Sequence, residues 1–241
     1  MLENTEKFWE ESWIQHINGY LRATPRAGIF LSNYFKNITS VLEIAGGSCR
    51  DSRYLANHGY QAVGSDFDEK TLQYLQEQRF PNDKLKYSKE DAFNLTFQEN
   101  KFDLVFHNGF FILFDENSAL VTMLKEQERV TNKYIVIFVH NKENKNLIKL
   151  FKDKSKNDDL YKIRFIDKNE IVKIVKESGI KYKDIKIKKF GGFFDVFYKK
   201  RLKRVVPNIL YPLRNLLIPK LYQVQKWEST ERICCIIELD K

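Results

Sequence analysis

The chain has 241 residues, 43% of them hydrophobic, and 41 basic against 32 acidic side chains give a formal net charge of +9. That length buries one sizeable core, as a single large domain or a domain with an inserted cap. No apolar run approaches the roughly 18–20 residues of a membrane span. The polar, acidic start Met1-Leu-Glu-Asn-Thr-Glu argues against a secretory signal. Three cysteines, Cys49, Cys234 and Cys235, make neither a disulfide framework nor a metal-ligand spacing. A cytoplasmic protein with reduced thiols is expected.

In chain order, residues 5–21 place aromatics at helical spacing, and Pro25 opens a second helix reaching 36. The apolar run 41–45 reads as a buried strand, followed by a helix over 51–58 that Gly59 stops. Then come strand 61–65, helix 69–79, strands 84–88 and 102–107, helix 117–130, strand 133–139 and helix 143–155. A helix over 167–178 ends at Gly179, and strands 182–190 and 232–239 follow. Strands alternating with helices predict a doubly wound α/β fold with a mostly parallel sheet covered on both faces.

The loop after the first strand is the most informative segment. Val41-Leu-Glu-Ile-Ala-Gly-Gly-Ser48 is a strand entering a tight turn, and the next strand delivers Asp66 about 20 residues past the glycines. That spacing sets a carboxylate at the tip of the neighbouring parallel strand, where it can accept from ribose hydroxyls. The glycines let backbone approach a ligand that a side chain would block. A dinucleotide site would read Gly-x-Gly-x-x-Gly. Here Glu43 precedes the glycines, no third glycine follows, and Arg50-Asp51 opens the helix. An adenosine-containing cofactor is predicted.

This loop resembles the first motif of class I S-adenosylmethionine-dependent methyltransferases, Glu/Asp-x-Gly-x-Gly-x-Gly, with Ala45 for the first glycine and Cys49 for the last. Ala45 suits the pattern if its φ is negative. Three further pieces resemble the family in order: Asp66-Phe67-Asp68, Glu90-Asp91-Ala92, and Phe102 through Gly109. The resemblance covers about residues 38–140. It implies a seven-stranded Rossmann-like sheet whose last two strands form an antiparallel edge. It also implies S-adenosyl-L-methionine as the cofactor. Glu43, Ala45, Gly46 and Gly47 would position its methionine part, with its carboxylate at the start of helix 51–58 beside Arg50. Asp66 would take the ribose, Phe67, Asp91 and Ala92 the adenine, and His107 would border the cofactor.

His107 and His140 follow strands four and five on the ligand side, so each is a candidate base for a protonated acceptor. His16, on the N-terminal helix, could enter the pocket from above. Residues 1–37 are expected to form a helical cap, 38–190 with 232–241 the core, and 191–231 an inserted cap over the acceptor. The insertion carries Lys199-Lys-Arg-Leu-Lys-Arg204, and prolines at 207, 212 and 219 would break it into short pieces. Its charge suits a phosphorylated or sugar-linked small molecule, and less well an RNA or a weak peripheral membrane contact. The expected activity is methyl transfer to oxygen or nitrogen of a small cell-envelope precursor. RNA methylation, or a degenerate module that binds cofactor without transfer, are the alternatives.

Overall fold

The computed structural model describes residues 6–78, 80, 83–198 and 211–241. Its strands are β1 Ser40–Glu43, β2 Gln61–Asp66, β3 Lys86–Lys89, β4 Phe102–Asn108, β5 Thr131–His140, β6 Tyr182–Gly192 and β7 Thr230–Leu239. They form one sheet in the order β3-β2-β1-β4-β5-β7-β6. β1 to β5 pair in parallel, and β7 runs antiparallel to both β5 and β6. The helices are α1 Glu6–Arg22, α2 Arg26–Tyr34, α3 Arg50–Asn57, α4 Glu69–Glu77, α5 Asn117–Val130, α6 Lys145–Lys154, α7 Lys168–Ser178 and α8 Tyr211–Val224.

Central strands are buried on both faces, so their side chains alternate between two apolar cores. On one face Leu42, Val105, Ile135 and Ile137 meet Leu120, Met123 and Leu124 of α5 and Ile171 and Ile174 of α7. On the other, Val41, Leu104, Phe106 and Phe138 meet Phe30 and Leu31 of α2, Leu55 of α3 and Tyr222 of α8. Cys234 packs in the second core and Cys235 in the first, as the strand period requires. Local signals set the helix ends. Asp68 caps α4 by accepting from Lys70 N at 3.0 Å. Asp167 and Glu170 form a capping box on α7, and Gly179 ends that helix at φ 70°. His58 is the C-cap of α3 and is stacked on Tyr54.

The insertion departs from expectation in two ways. Its described part, a 3-10 turn over Phe193–Tyr198 and the helix α8, packs on α2 and β6 through Tyr198, Ile218 and Tyr222. None of these residues lines the cleft at the strand ends. The basic run 199–204 lies outside the described residues. Second, α8 runs on through Pro219. Proline lacks the N–H that the carbonyl of Asn215 would have received. Asn33 Nδ2 of α2 donates to that oxygen instead, at 3.0 Å, so a tertiary contact replaces the missing helical bond.

Arg26, at the start of α2, ties three distant segments together. It makes a two-pronged pair with Glu231 of β7, at 2.8 and 2.9 Å, and donates to Asp195 of the insertion. Asp195 also accepts from Tyr222 Oη and, at 2.9 Å, from Gly192 N. The guanidinium holds the Glu231 carboxyl well below the usual carboxylate range, against the opposing effect of burial.

Candidate active site

A cleft opens beyond the C-terminal ends of the parallel strands, between β1 and β4, where the strand order reverses and open α/β sheets hold their ligands. Its floor carries Glu43 at the end of β1 and Ala45 beyond it, Asp66 at the end of β2 and then Phe67, Asn108 at the end of β4 and then Gly109, and His140 at the end of β5. Because β7 is antiparallel, its beginning lies at this same edge and contributes Arg232. Trp13, His16 and Tyr20 of α1 form one wall, and Phe151, Leu160, Tyr161 and Ile163 the opposite one. His16 Nε2 and Asp158 Oδ2, 3.2 Å apart, connect the two walls. The space enclosed, counted into the open mouth, is about 1230 Å³.

The glycine-pattern loop has an unusual backbone. Ala45, Gly47 and Cys49 have φ of 49°, 53° and 47°. These are the three positions at which Glu/Asp-x-Gly-x-Gly-x-Gly places glycine. Ala45 therefore does not have the negative φ expected of it. Left-handed backbone costs a non-glycine residue roughly 1–2 kcal/mol, so the loop must be held from outside. Gly46 N donates to Ser65 O at 2.8 Å, Gly47 N to Asp66 Oδ2 at 2.8 Å, and Cys49 N to Gly46 O at 2.9 Å. The Cys49 side chain is fully buried against Gly46 and Gly64, and burial raises its thiol pKa. Cys49 thus anchors the loop from beneath.

Asp66 accepts from Gly47 N and, at 3.1 Å, from Asp68 N, which leaves lone pairs for hydroxyl donors in the cleft. Burial pushes its carboxyl up to about 6, partly offset by those backbone donors. Glu43 accepts from Ser52 N of α3 at 3.0 Å and so clamps the loop to that helix. Burial, then the nearby Asp51 charge, push the Glu43 carboxyl upward. Asp51 accepts from Gly28 N at 2.9 Å and from Asn108 Nδ2 at 3.3 Å, with Arg50 Nε 3.6 Å away. A bare backbone at Gly47, an acid at the β2 tip, and Phe67 beside it fit a nucleoside whose ribose meets Asp66 and whose base meets an aromatic face.

Residues 42–137 match the family model described as a methyltransferase domain. That segment of the chain carries a methyltransferase domain. No curated protein matches it in sequence. Solved structures share the fold of this methyltransferase at low identity. A possible histamine N-methyltransferase from Thermotoga maritima is 16% identical with a TM-score of 0.64, covering 100% of both chains. A SAM-dependent methyltransferase from Archaeoglobus fulgidus is 18% identical with a TM-score of 0.61, over 93% of this chain and 99% of that one. The magnesium protoporphyrin IX methyltransferase of Synechocystis, solved with bound S-adenosylhomocysteine, is 13% identical with a TM-score of 0.52, over 94% and 82%.

Of the residues predicted for the site, Glu43, Ala45, Gly46, Gly47, Arg50, Asp66, Phe67 and His140 come together in the cleft. His107 does not. It is fully buried against Phe110 and Phe111, neither ring nitrogen has a hydrogen-bond partner among the described residues, and burial pushes its pKa down to about 3. It is a neutral core side chain, set there because strand alternation turns it away from the tip. Asp91 and Ala92 also lie outside the cleft lining. Asp91 accepts from Phe93 N at 2.9 Å in its own turn, and Ala92 packs in the core. The reading from sequence missed Arg232, Phe151 and Tyr161. Arg232 was within reach of the predicted topology, because the first residues of an antiparallel last strand return to the ligand edge.

Proposed function

We propose that this cytoplasmic enzyme methylates oxygen or nitrogen of a small acceptor with an apolar, planar body. The lining of the acceptor half of the cleft carries the proposal: Phe110, Leu113, Phe151, Leu160, Tyr161 and Ile163 surround it beneath α1. A polyhydroxylated sugar would leave hydroxyls against these groups without partners, at a cost of roughly 1–3 kcal/mol each. This lining favours an apolar acceptor over the glycan precursor expected from the charge of the insertion. The enclosure between α1 and the Tyr161 wall favours a small acceptor over RNA.

Bound S-adenosylmethionine supplies an electrophilic methyl group on a sulfonium. The residues of this chain align the reactants and keep water out. Asp66, Gly47 and Phe67 hold the nucleoside end, and Arg50 at the start of α3 suits a carboxylate. His140 lines the cleft, and its proposed role is to take a proton from the acceptor. Its Nδ1 is buried with no hydrogen-bond partner among the described residues, and burial, then the Arg232 charge, hold its pKa well below the ordinary histidine value. The imidazole is therefore neutral at physiological pH.

Incubation with methyl-labelled S-adenosylmethionine and separate small-molecule and RNA fractions should put label in the small-molecule fraction, read by mass spectrometry. Label confined to RNA would overturn the small-acceptor reading. With that acceptor, His140→Gln should lower turnover by roughly 10²–10⁴, with cofactor affinity by calorimetry nearly unchanged. Full turnover in His140→Gln would leave alignment alone as the source of rate.

A further inference from the structure

We infer that the acceptor carries a carboxylate and that Arg232 is the residue that receives it. This rests on the methyltransferase reading above and names the substrate class of that same cleft. Arg232 opens β7, and the register pairs it directly with His140 of β5. Its side chain is only 15% exposed, yet it lines the cleft. Such a charge is costly to bury unless something answers it. What answers it within the protein is partial. Nη1 donates to Asn108 Oδ1 at 2.5 Å, a neutral amide, and Nε to Glu231 Oε1 at 3.2 Å. Glu231 already spends both oxygens on Arg26. No hydrogen bond from Arg232 Nη2 is made to the described residues.

The guanidinium is also fixed in direction. It lies against Gly109, where an added Cβ would fall 3.0 Å from Nη1, so the bare backbone after β4 makes room for it. Asn108, which orients Nη1, is itself held by Asp51. A planar fork set this way, at the edge of an aromatic and aliphatic cup, matches a carboxylate on a flat apolar body. Glu231 and Asp195 already match Arg26 and Arg232 in number, so what Arg232 offers a ligand is its open Nη2 donor, which suits a carboxylate oxygen. An amine would meet like charge. The carboxylate paired with Arg232 is the handle, its lone pairs held by the guanidinium, and the nucleophile is a neighbouring hydroxyl or amine beside His140. Neutralising Arg232 in this way would also relieve part of what holds the His140 pKa down, so handle and base act together.

The test uses full-length protein loaded with S-adenosylhomocysteine and titrated with 2-naphthoate, 2-naphthamide, 2-naphthylmethylamine and 2-naphthyl phosphate. Binding of S-adenosylhomocysteine is measured first for wild type, Arg232→Met and Arg232→Lys. 2-Naphthoate is expected to bind at least tenfold tighter than the other three. Arg232→Met should bring it down to the level of the amide, and Arg232→Lys should keep part of the preference. A wild-type ranking headed by amine, amide or phosphate overturns the inference, and does so even if Arg232→Met fails to fold. So does a carboxylate preference that survives in Arg232→Met. Failure of wild type to bind S-adenosylhomocysteine at all would count instead against the methyltransferase reading.

Discussion

Gly47→Val is expected to lower S-adenosylmethionine affinity at least a hundredfold, ~3 kcal/mol, with a smaller loss for Gly47→Ala. The residue has φ 53°, a conformation that β-branched side chains scarcely adopt. A Cβ built there would stand 2.5 Å from Trp13 Cζ2, so the substitution also pushes α1 off the loop. Gly47 N is the donor to Asp66, and moving it disturbs the acid proposed to meet the ribose. Ala45→Gly is the informative contrast. It removes the penalty of a left-handed alanine while freeing the unfolded chain, so cofactor affinity should be kept and stability should change by less than about 1 kcal/mol. Calorimetric titration and urea unfolding of the three variants separate these effects. Unchanged affinity in Gly47→Val would mean that the loop does not approach the cofactor.

Arg26→Met should cost about 3 kcal/mol of folding stability. It leaves Glu231 and Asp195, both about four-fifths buried, without the guanidinium that pairs with them. Breaking a buried pair from one side typically costs roughly 3–5 kcal/mol, and the residual exposure places this one at the low end. The double variant Arg26→Met with Glu231→Gln should recover a good part of the loss, because the stranded charge goes too. The loss should also be felt locally, since Arg26 fastens the Phe193–Tyr198 turn to α2. Hydrogen exchange across 191–198 is expected to quicken in Arg26→Met. Denaturation midpoints equal to wild type in the single variant would show that solvent already satisfies both carboxylates.

The order of strands and helices was legible because each signal is local: period-two or continuous apolar runs, capping acids, and glycine stops. Gly59 and Gly179 stop α3 and α7 where those signals place them. The cofactor loop was legible for the same reason, since its residues are contiguous. Cys49 and Ala45 look like defects in the motif as letters. In the fold they adopt the glycine conformation because hydrogen bonds and a buried thiol hold them there. What sequence could not give depends on three-dimensional register. Strand tips put His140 in the cleft and turn His107 inward, a difference of one pleat. The route of the insertion follows from α8 burying Ile218 and Tyr222 on the sheet, and from Asn33 answering Asn215 across α2. Nothing in its composition distinguishes that side of the sheet from the cleft.

The central claim is that this loop and Asp66 hold S-adenosylmethionine. Its most direct test is calorimetric titration of wild type and Asp66→Ala with S-adenosylmethionine and with NAD, at pH 7.5 and pH 5. Wild type should bind S-adenosylmethionine saturably and NAD weakly or not at all, and Asp66→Ala should weaken binding by roughly 1–3 kcal/mol. The Asp66 carboxyl is raised to about 6, so it is ionised and accepting at the higher pH and largely protonated at the lower. Wild-type affinity should therefore fall toward pH 5, and the fall should be blunted in Asp66→Ala. Equal affinities in wild type and Asp66→Ala at pH 7.5, or tighter binding of NAD than of S-adenosylmethionine, would contradict the assignment.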